Sequence, residues 1–118
     1  MQILDVLIRY NTVISLARSQ GVLNHPTLSY IEGDRDCFYQ LCVLPEFSGT
    51  DDISSIPSND DALDAWLDRH SEFENFIKGF GRADDIIERA CRSVEKIDDY
   101  ERHVSQLVEQ ASTPNFDL

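Results

Sequence analysis

The sequence predicts an α+β fold with one N-terminal helix, a β-hairpin, a loop and two C-terminal helices. Three observations lead to this prediction. Apolar residues recur at helical spacing near the N-terminus, β-branched and aromatic residues flank a Gly-Asp pair, and helical spacing returns in the second half. The 118 residues, 42% of them hydrophobic, fit one small domain, 1–118, with a core of its own.

The first predicted element is a helix over residues 2–19, QILDVLIRYNTVISLARS. Its apolar residues form a wide stripe at helical intervals. Arg18 lies in the last turn, where a cation suits the helix dipole, and Gly21 is placed to end the helix in the left-handed conformation. The β-branched content of the segment leaves a strand as the alternative.

The second predicted element is a β-hairpin over residues 27–44, TLSYIEGDRDCFYQLCVL, which follows the break NHP. Both arms are rich in β-branched and aromatic residues, and Gly33-Asp34 suits a tight turn. Since an isolated two-stranded ribbon is marginally stable, the hairpin is expected either to belong to a small antiparallel sheet or to pair through its edge.

Three further segments complete the prediction: an irregular loop at 45–59, a helix at 59–78 and a long helix at 82–111, followed by a tail at 112–118. Ser58 and Asp61 resemble a capping box at the start of the first of these helices. Trp66 has apolar neighbours at helical intervals, which favours a place in the core over a groove for a partner's side chain. GFGRAD (79–84) is interpreted as a turn between the two helices, because it lacks the strand and the full motif of a phosphate loop.

The charge balance is strongly acidic, with 10 Lys and Arg against 22 Asp and Glu and a formal net charge of -12. Residues 1–45 hold three arginines against four acids, so nearly all of the net charge belongs to 46–118. Direct binding to nucleic acid or to an anionic membrane surface is disfavoured, because both require a cationic footprint. A basic protein is the partner that such a surface suits.

Four carboxylates follow one another at four-residue steps in the predicted helix 59–78: Asp60, Asp64, Asp68 and Glu72. Like charges at this spacing repel each other and cost the helix about 0.2–0.5 kcal/mol per pair. One step is about 6 Å of helical rise, close to the spacing of successive phosphates along a nucleic-acid strand. The ladder, with Asp51 and Asp52 in the preceding loop, is therefore predicted to bind a basic protein, and a solvated face without a partner is the alternative.

No catalytic, cofactor or metal signature is identified, so the protein is predicted not to be an enzyme. His70 and Glu74 are one helical turn apart, as are Asp99 and His103, but the repeated motifs of di-metal bundles are missing. The three cysteines, Cys37, Cys42 and Cys91, show no metal spacing and are interpreted as reduced, small buried residues. This cysteine usage and the lack of a signal or membrane segment predict a cytoplasmic protein.

The leading functional prediction is a small acidic binding protein that blocks a basic, nucleic-acid-handling enzyme or toxin by mimicking nucleic acid. Immunity proteins against nuclease toxins and phage-encoded inhibitors have this general character, an analogy of charge and size and not of motif. The alternative is a dimeric assembly or chaperone-like adaptor that uses the long last helix. Its predicted self-association contacts are the apolar residues furthest along that helix, Val104, Leu107, Val108 and Ala111.

Overall fold

Five α-helices and one short 3-10 helix form the secondary structure of residues 3–42, 53–80 and 91–112, the parts of the chain that the computed structural model describes. We number the helices in chain order: α1 (Ile3–Gln20), α2 (His25–Cys42), α3 (Asp60–Arg69), α4 (Ser71–Phe80) and α5 (Cys91–Ser112), with the 3-10 helix at Ile53–Ser55 between α2 and α3. These ranges contain no strand, so the predicted α+β class is wrong and the described fold is all-helical.

The predicted N-terminal helix is confirmed as α1. It ends in a Schellman motif: Gly21 has φ 63°, its N–H donates to the carbonyl of Arg18, and the N–H of Val22 donates to the carbonyl of Ala17. A residue without a Cβ adopts this φ at little cost, which is why the helix ends where glycine was expected to end it.

The predicted β-hairpin at 27–44 is wrong, because most of this segment lies in α2. Asn24 begins the helix: its side-chain oxygen accepts from the N–H of Thr27 at 2.9 Å, and its carbonyl accepts from the N–H of Leu28. Pro26 is tolerated because the first turn of a helix has no use for its missing N–H. Gly33 sits within the helix as an exposed residue and makes no turn.

The prediction of a single helix at 59–78 is also wrong, because the helix is interrupted at His70 and the segment forms α3 and α4. His70 has φ -126° and ψ 55°, outside the helical region, and its N–H bonds to the carbonyl of Leu67. The N-cap of α3 is Asn59 and not Ser58, since the Asn59 side chain accepts from the N–H of Ala62. The sequence S-E-F-E at 71–74 has the form of a capping-box signature, the unused indication that a second helix begins there.

Helix α1 lies at the centre of the described core and packs against α2, α5 and the 3-10 helix, while α3 packs against α4. The largest fully buried side chains come from these elements: Tyr10, Phe38, Phe73, Ile3, Leu7, Ile31, Ile97, Val6 and Val104. The predicted loop at 45–59 contributes to this core through Ile53 and Ile56, both of which are buried. Its remaining part before residue 53 lies outside the described residues.

Polar side chains connect α5 to α1 and α2. Arg9 of α1 forms ion pairs with Asp98 and Glu101 of α5, and the hydrogen bond to Glu101 is the largest cause that raises the pKa of the guanidinium. Asp34 of α2 accepts from the hydroxyl of Tyr100 and, at 3.2 Å, from the ammonium of Lys96. The described part of the predicted helix 82–111 is confirmed as α5, whereas residues 82–90 lie outside the described ranges.

Candidate recognition surface

Four exposed aspartates of α3, Asp60, Asp61, Asp64 and Asp68, form what we call the acidic face. At about 100° of rotation per residue, they occupy a sector of about 100° on the helix surface. Asp60 and Asp61 lie in the first turn, where a negative charge interacts favourably with the helix dipole. Asp68 lies in the last turn, where the same interaction is unfavourable.

Most cations of the described residues lie on other helices and are engaged with acids; Arg69, the last residue of α3, is the exception. Seven Lys or Arg side chains are described, and six of them form ion pairs: Arg9 with Asp98 and Glu101, Arg18 with Glu32, Arg35 with Asp36, Lys78 with Glu74, Lys96 with Asp34, and Arg102 with Asp99. Within the described ranges none of these pairs involves the acidic face. Its negative charge is therefore concentrated on one side of one helix and is not balanced by a paired cation there.

The buried side of α3 holds the acidic face in place. Trp66 is 2% exposed, which confirms its predicted place in the core, and its Nε1–H donates to Oγ of Ser55 at 2.8 Å. The ring of Phe73 meets the indole edge-to-face, with centroids 5.5 Å apart and planes at 89°. One aromatic anchor thus fixes α3 to both the 3-10 helix and α4.

His70 ends α3 through its side chain as well as its backbone. Nδ1 of the imidazole lies 2.7 Å from the carbonyl oxygen of Trp66. Because a carbonyl only accepts, Nδ1 carries the proton and donates it to this bond. The carbonyl that a continuing helix would satisfy through the N–H of residue 70 is satisfied by the His70 ring instead.

The structure separates the residues of the predicted ladder. Asp60, Asp64 and Asp68 share α3 as predicted, whereas Glu72 is exposed on α4, beyond the break at His70. The predicted ladder of four carboxylates is therefore reduced to three on one continuous helix. Asp61, which sequence reasoning treated only as a cap, completes the acidic face, and its position three residues before Asp64 was the available signal. Asp51 and Asp52 lie outside the described residues.

The predicted self-association residues are also divided. Val104 is 1% exposed and belongs to the core of the single chain, and Val108 packs against that core. Leu107 is half-buried and Ala111 is exposed. A second copy of the chain would therefore find only part of the predicted contact set at the surface.

Metal-binding and redox residues give no site within the described ranges. No group of three or more His, Cys, Asp or Glu side chains there is arranged to hold a metal ion. Cys37 is a free, exposed cysteine, which contradicts its predicted burial, while the side chains of Cys42 and Cys91 lie outside the description. Of the segment 79–84, the first two residues end α4 and the rest lies outside the described ranges.

Sequence reasoning missed a second polar region, built on Asn11 and Arg35. Both are buried, at 8% and 7% exposure, and Nη1 of Arg35 donates to Oδ1 of Asn11 at 3.0 Å. The available signal was the spacing of Arg35 from Leu28, Ile31 and Phe38. In a helix this spacing places Arg35 on the apolar side, whereas in a hairpin it does not. Arginine on such a side points to a designated polar contact.

None of the helices in the described residues has the length and apolar character needed to cross a membrane. Comparisons of the chain with protein-family models, with curated proteins and with solved structures find no match.

Proposed function

We propose that this protein is a non-enzymatic acidic binding protein that blocks a basic partner, and that the acidic face on α3 is its recognition surface. The partner is proposed to be a protein whose own cationic site ordinarily binds nucleic acid. The observation that carries the proposal is the separation of charge: paired cations on the other helices, and four exposed aspartates together on α3.

The spacing of the charges supports a phosphate-binding partner. Asp60, Asp64 and Asp68 follow one another at about 6 Å of helical rise. A cationic groove that accommodates successive phosphates of one strand presents its arginines and lysines on a similar scale. A rigid helix with carboxylates at this interval offers such a groove a set of charges in register.

The structural cost of the acidic face is consistent with a role in binding. Aspartates one turn apart repel each other, and Asp68 opposes the dipole at the end of α3. Complementary charge increases the rate of association and sets the orientation of the complex, whereas apolar anchors supply much of the affinity. The acidic face is therefore proposed to act in the first encounter with the partner and in setting the orientation of the complex.

The test compares two variants that each lose four negative charges, but from different helices. The first changes Asp60, Asp61, Asp64 and Asp68 to asparagine. The second changes four exposed acids of α1 and α5 to their amides: Asp5, Glu95, Asp99 and Glu109. The parent and both variants are immobilised, and proteins are captured from the native host at low and at moderate salt.

We expect the parent and the α1/α5 variant to retain the same basic protein, and the α3 variant to lose it. With the purified partner, the association rate constant should fall about tenfold or more for the α3 variant at low salt, and the parent should compete with nucleic acid for the partner. Equal retention by both variants would show that only net charge matters and would contradict the proposed surface. A captured partner that still binds nucleic acid in the presence of the parent would contradict blocking.

A further inference from the structure

A polar cleft of about 270 Å³ lies between α1, α2 and the 3-10 helix. Its volume is several times the roughly 30 Å³ that one water molecule occupies in the liquid, so it has room for a small ligand. The polar side chains that line it are Asn11, Ser15, Arg18, Glu32, Arg35 and Ser54. In a chain of formal charge -12, two of these six residues are arginines.

Arg35 is the buried charge of this cleft, with 9% of its side chain exposed. Nε and Nη2 contact the same carboxylate oxygen of Asp36, at 3.2 and 3.1 Å, and Nη1 donates to Asn11. These contacts use three of the five N–H donors of the guanidinium. Two donors remain without an acceptor among the described residues, and Asp36 itself is 53% exposed.

Asn11 holds the guanidinium in a fixed position. Its Nδ2 donates to the carbonyls of Ile53 and Ile56, at 2.8 and 3.1 Å, and its Oδ1 accepts from Arg35. Both N–H donors of the Asn11 side chain thus bond to the backbone of the segment 53–56. The arginine is consequently positioned before any ligand arrives, which lowers the entropic cost of binding.

The mouth of the cleft carries a second arginine in a weak pair. Arg18 contacts Glu32 through Nη2, and its side chain is 64% exposed. Exposed ion pairs of this kind contribute between nothing and about 1 kcal/mol, so Arg18 can exchange Glu32 for another acceptor at little cost. Glu32 also repels an anion that enters and disfavours anions too weak to displace it from Arg18.

We propose that the cleft binds a small molecule with an oxyanion head group, either a carboxylate or a phosphate. The head group accepts hydrogen bonds from the two remaining donors of Arg35, which match the oxygens of either group. Arg18 turns from Glu32 to the same anion. This site is separate from the acidic face, and it does not depend on the function proposed for that face.

A purely structural arginine is the simplest competing account. Such a residue is expected to have its donors satisfied by the protein or by single ordered waters, and its surroundings closely packed. Arg35 instead lines a cleft of about 270 Å³, and two of its donors have no acceptor among the described residues. The combination of a buried, oriented cation and an adjoining polar space is what distinguishes a ligand site from a structural contact.

The experiment is an NMR titration of the full chain with sodium phosphate and, separately, with sodium acetate, at ionic strength held constant with sodium chloride. We expect saturable shifts at Nε–H of Arg35, at the side-chain amide of Asn11 and at the backbone amide of Ser15. The anion that saturates at the lower concentration identifies the head group. Shifts that stay linear, or that spread over the whole chain, would overturn the proposal.

Variants locate the site. Arg35→Lys should weaken phosphate or acetate binding about tenfold or more, the equivalent of one charge-assisted hydrogen bond. Because Arg35 is buried, Arg18→Gln and Glu32→Gln provide a test at exposed positions: the first should weaken binding and the second should strengthen it. Arg102→Gln removes one exposed, paired cation from α5 and should leave the affinity unchanged. An effect of Arg102→Gln as large as that of Arg18→Gln, or no effect of Glu32→Gln, would overturn the proposal.

Discussion

The imidazole of His70 stacks on the indole of Trp66, with ring centroids 3.9 Å apart and planes 13° from parallel. The same imidazole donates from Nδ1 to the carbonyl oxygen of Trp66. Two different contacts therefore join this pair across the last turn of α3. Together they end the helix that carries the acidic face and set where α4 begins.

His70→Ala should lower the free energy of unfolding by about 1–3 kcal/mol, because it removes a hydrogen bond and a stacked aromatic contact. The matched control is His103→Ala, which changes an exposed histidine of α5 and should stay within about 0.5 kcal/mol. Urea unfolding followed by circular dichroism measures both. Equal stabilities of the two variants would show that neither the hydrogen bond nor the stack stabilises the fold.

The contact between Trp66 and Ser55 predicts that the 3-10 helix and α3 depend on each other. Trp66→Ala should cost about 3–5 kcal/mol, as expected for a fully buried large side chain. Ser55→Ala should cost about 1–3 kcal/mol, because it removes the acceptor of a largely buried indole N–H. Trp66 is the only tryptophan, so its fluorescence should also shift in Ser55→Ala. An unchanged emission spectrum and melting temperature in that variant would contradict the coupling.

Two aspartates of the acidic face should affect stability in opposite directions. Asp68→Asn removes a negative charge from the last turn of α3 and should raise the free energy of unfolding by about 0.3–1 kcal/mol. Asp61→Asn removes one from the first turn and should lower it by a similar amount. Both effects should shrink as salt is added. An increase in both variants would show that repulsion within the face, and not the helix dipole, dominates, and a decrease in both would contradict the dipole argument for Asp68.

Tyr100 predicts how stability changes in alkali. Burial first, and then the hydrogen bond that its hydroxyl donates to Asp34, raise the pKa of Tyr100 above the usual value of about 10. The folded state therefore favours the protonated phenol. Its contribution to the free energy of unfolding is complete below about pH 10 and is lost as the pH rises further. Tyr100→Phe should flatten the alkaline part of the stability curve, measured as the urea midpoint against pH. A curve as steep as that of the parent would contradict the assignment.

The hairpin prediction failed for a reason that lies in α2. Thr27, Tyr30 and Ile31 have high β-propensity, and Gly33 followed by Asp34 resembles a turn, but both indications are local. Leu28, Ile31 and Phe38 meet α1 and the rest of the core only if the segment is helical, and burial against α1 outweighs the local preference. Whether the segment forms a strand or a helix thus depends on α1, which the sequence of the segment itself does not reveal.

The residues of the acidic face could be predicted from sequence more completely than the end of the helix that carries them. Four-residue spacing placed Asp60, Asp64 and Asp68 on one helix without reference to any other element. The break at His70 was harder to predict, because it depends on the ring returning to the carbonyl of Trp66, a contact that spacing does not reveal. Arg35 was missed for the same kind of reason, since its partner Asn11 lies 24 residues earlier in another helix.

Val104 and Ala111 provide the test of the dimeric adaptor, the alternative to a blocking protein. Val104 is buried in the single chain, so Val104→Asp should unfold the protein whatever its oligomeric state. Ala111 is exposed near the end of α5, so Ala111→Asp should leave the helix content and melting temperature close to those of the parent. Light scattering then separates the two hypotheses. A monomeric parent at high concentration excludes the dimeric adaptor, whereas a dimer that Ala111→Asp converts into a folded monomer would place the interface on the last turns of α5.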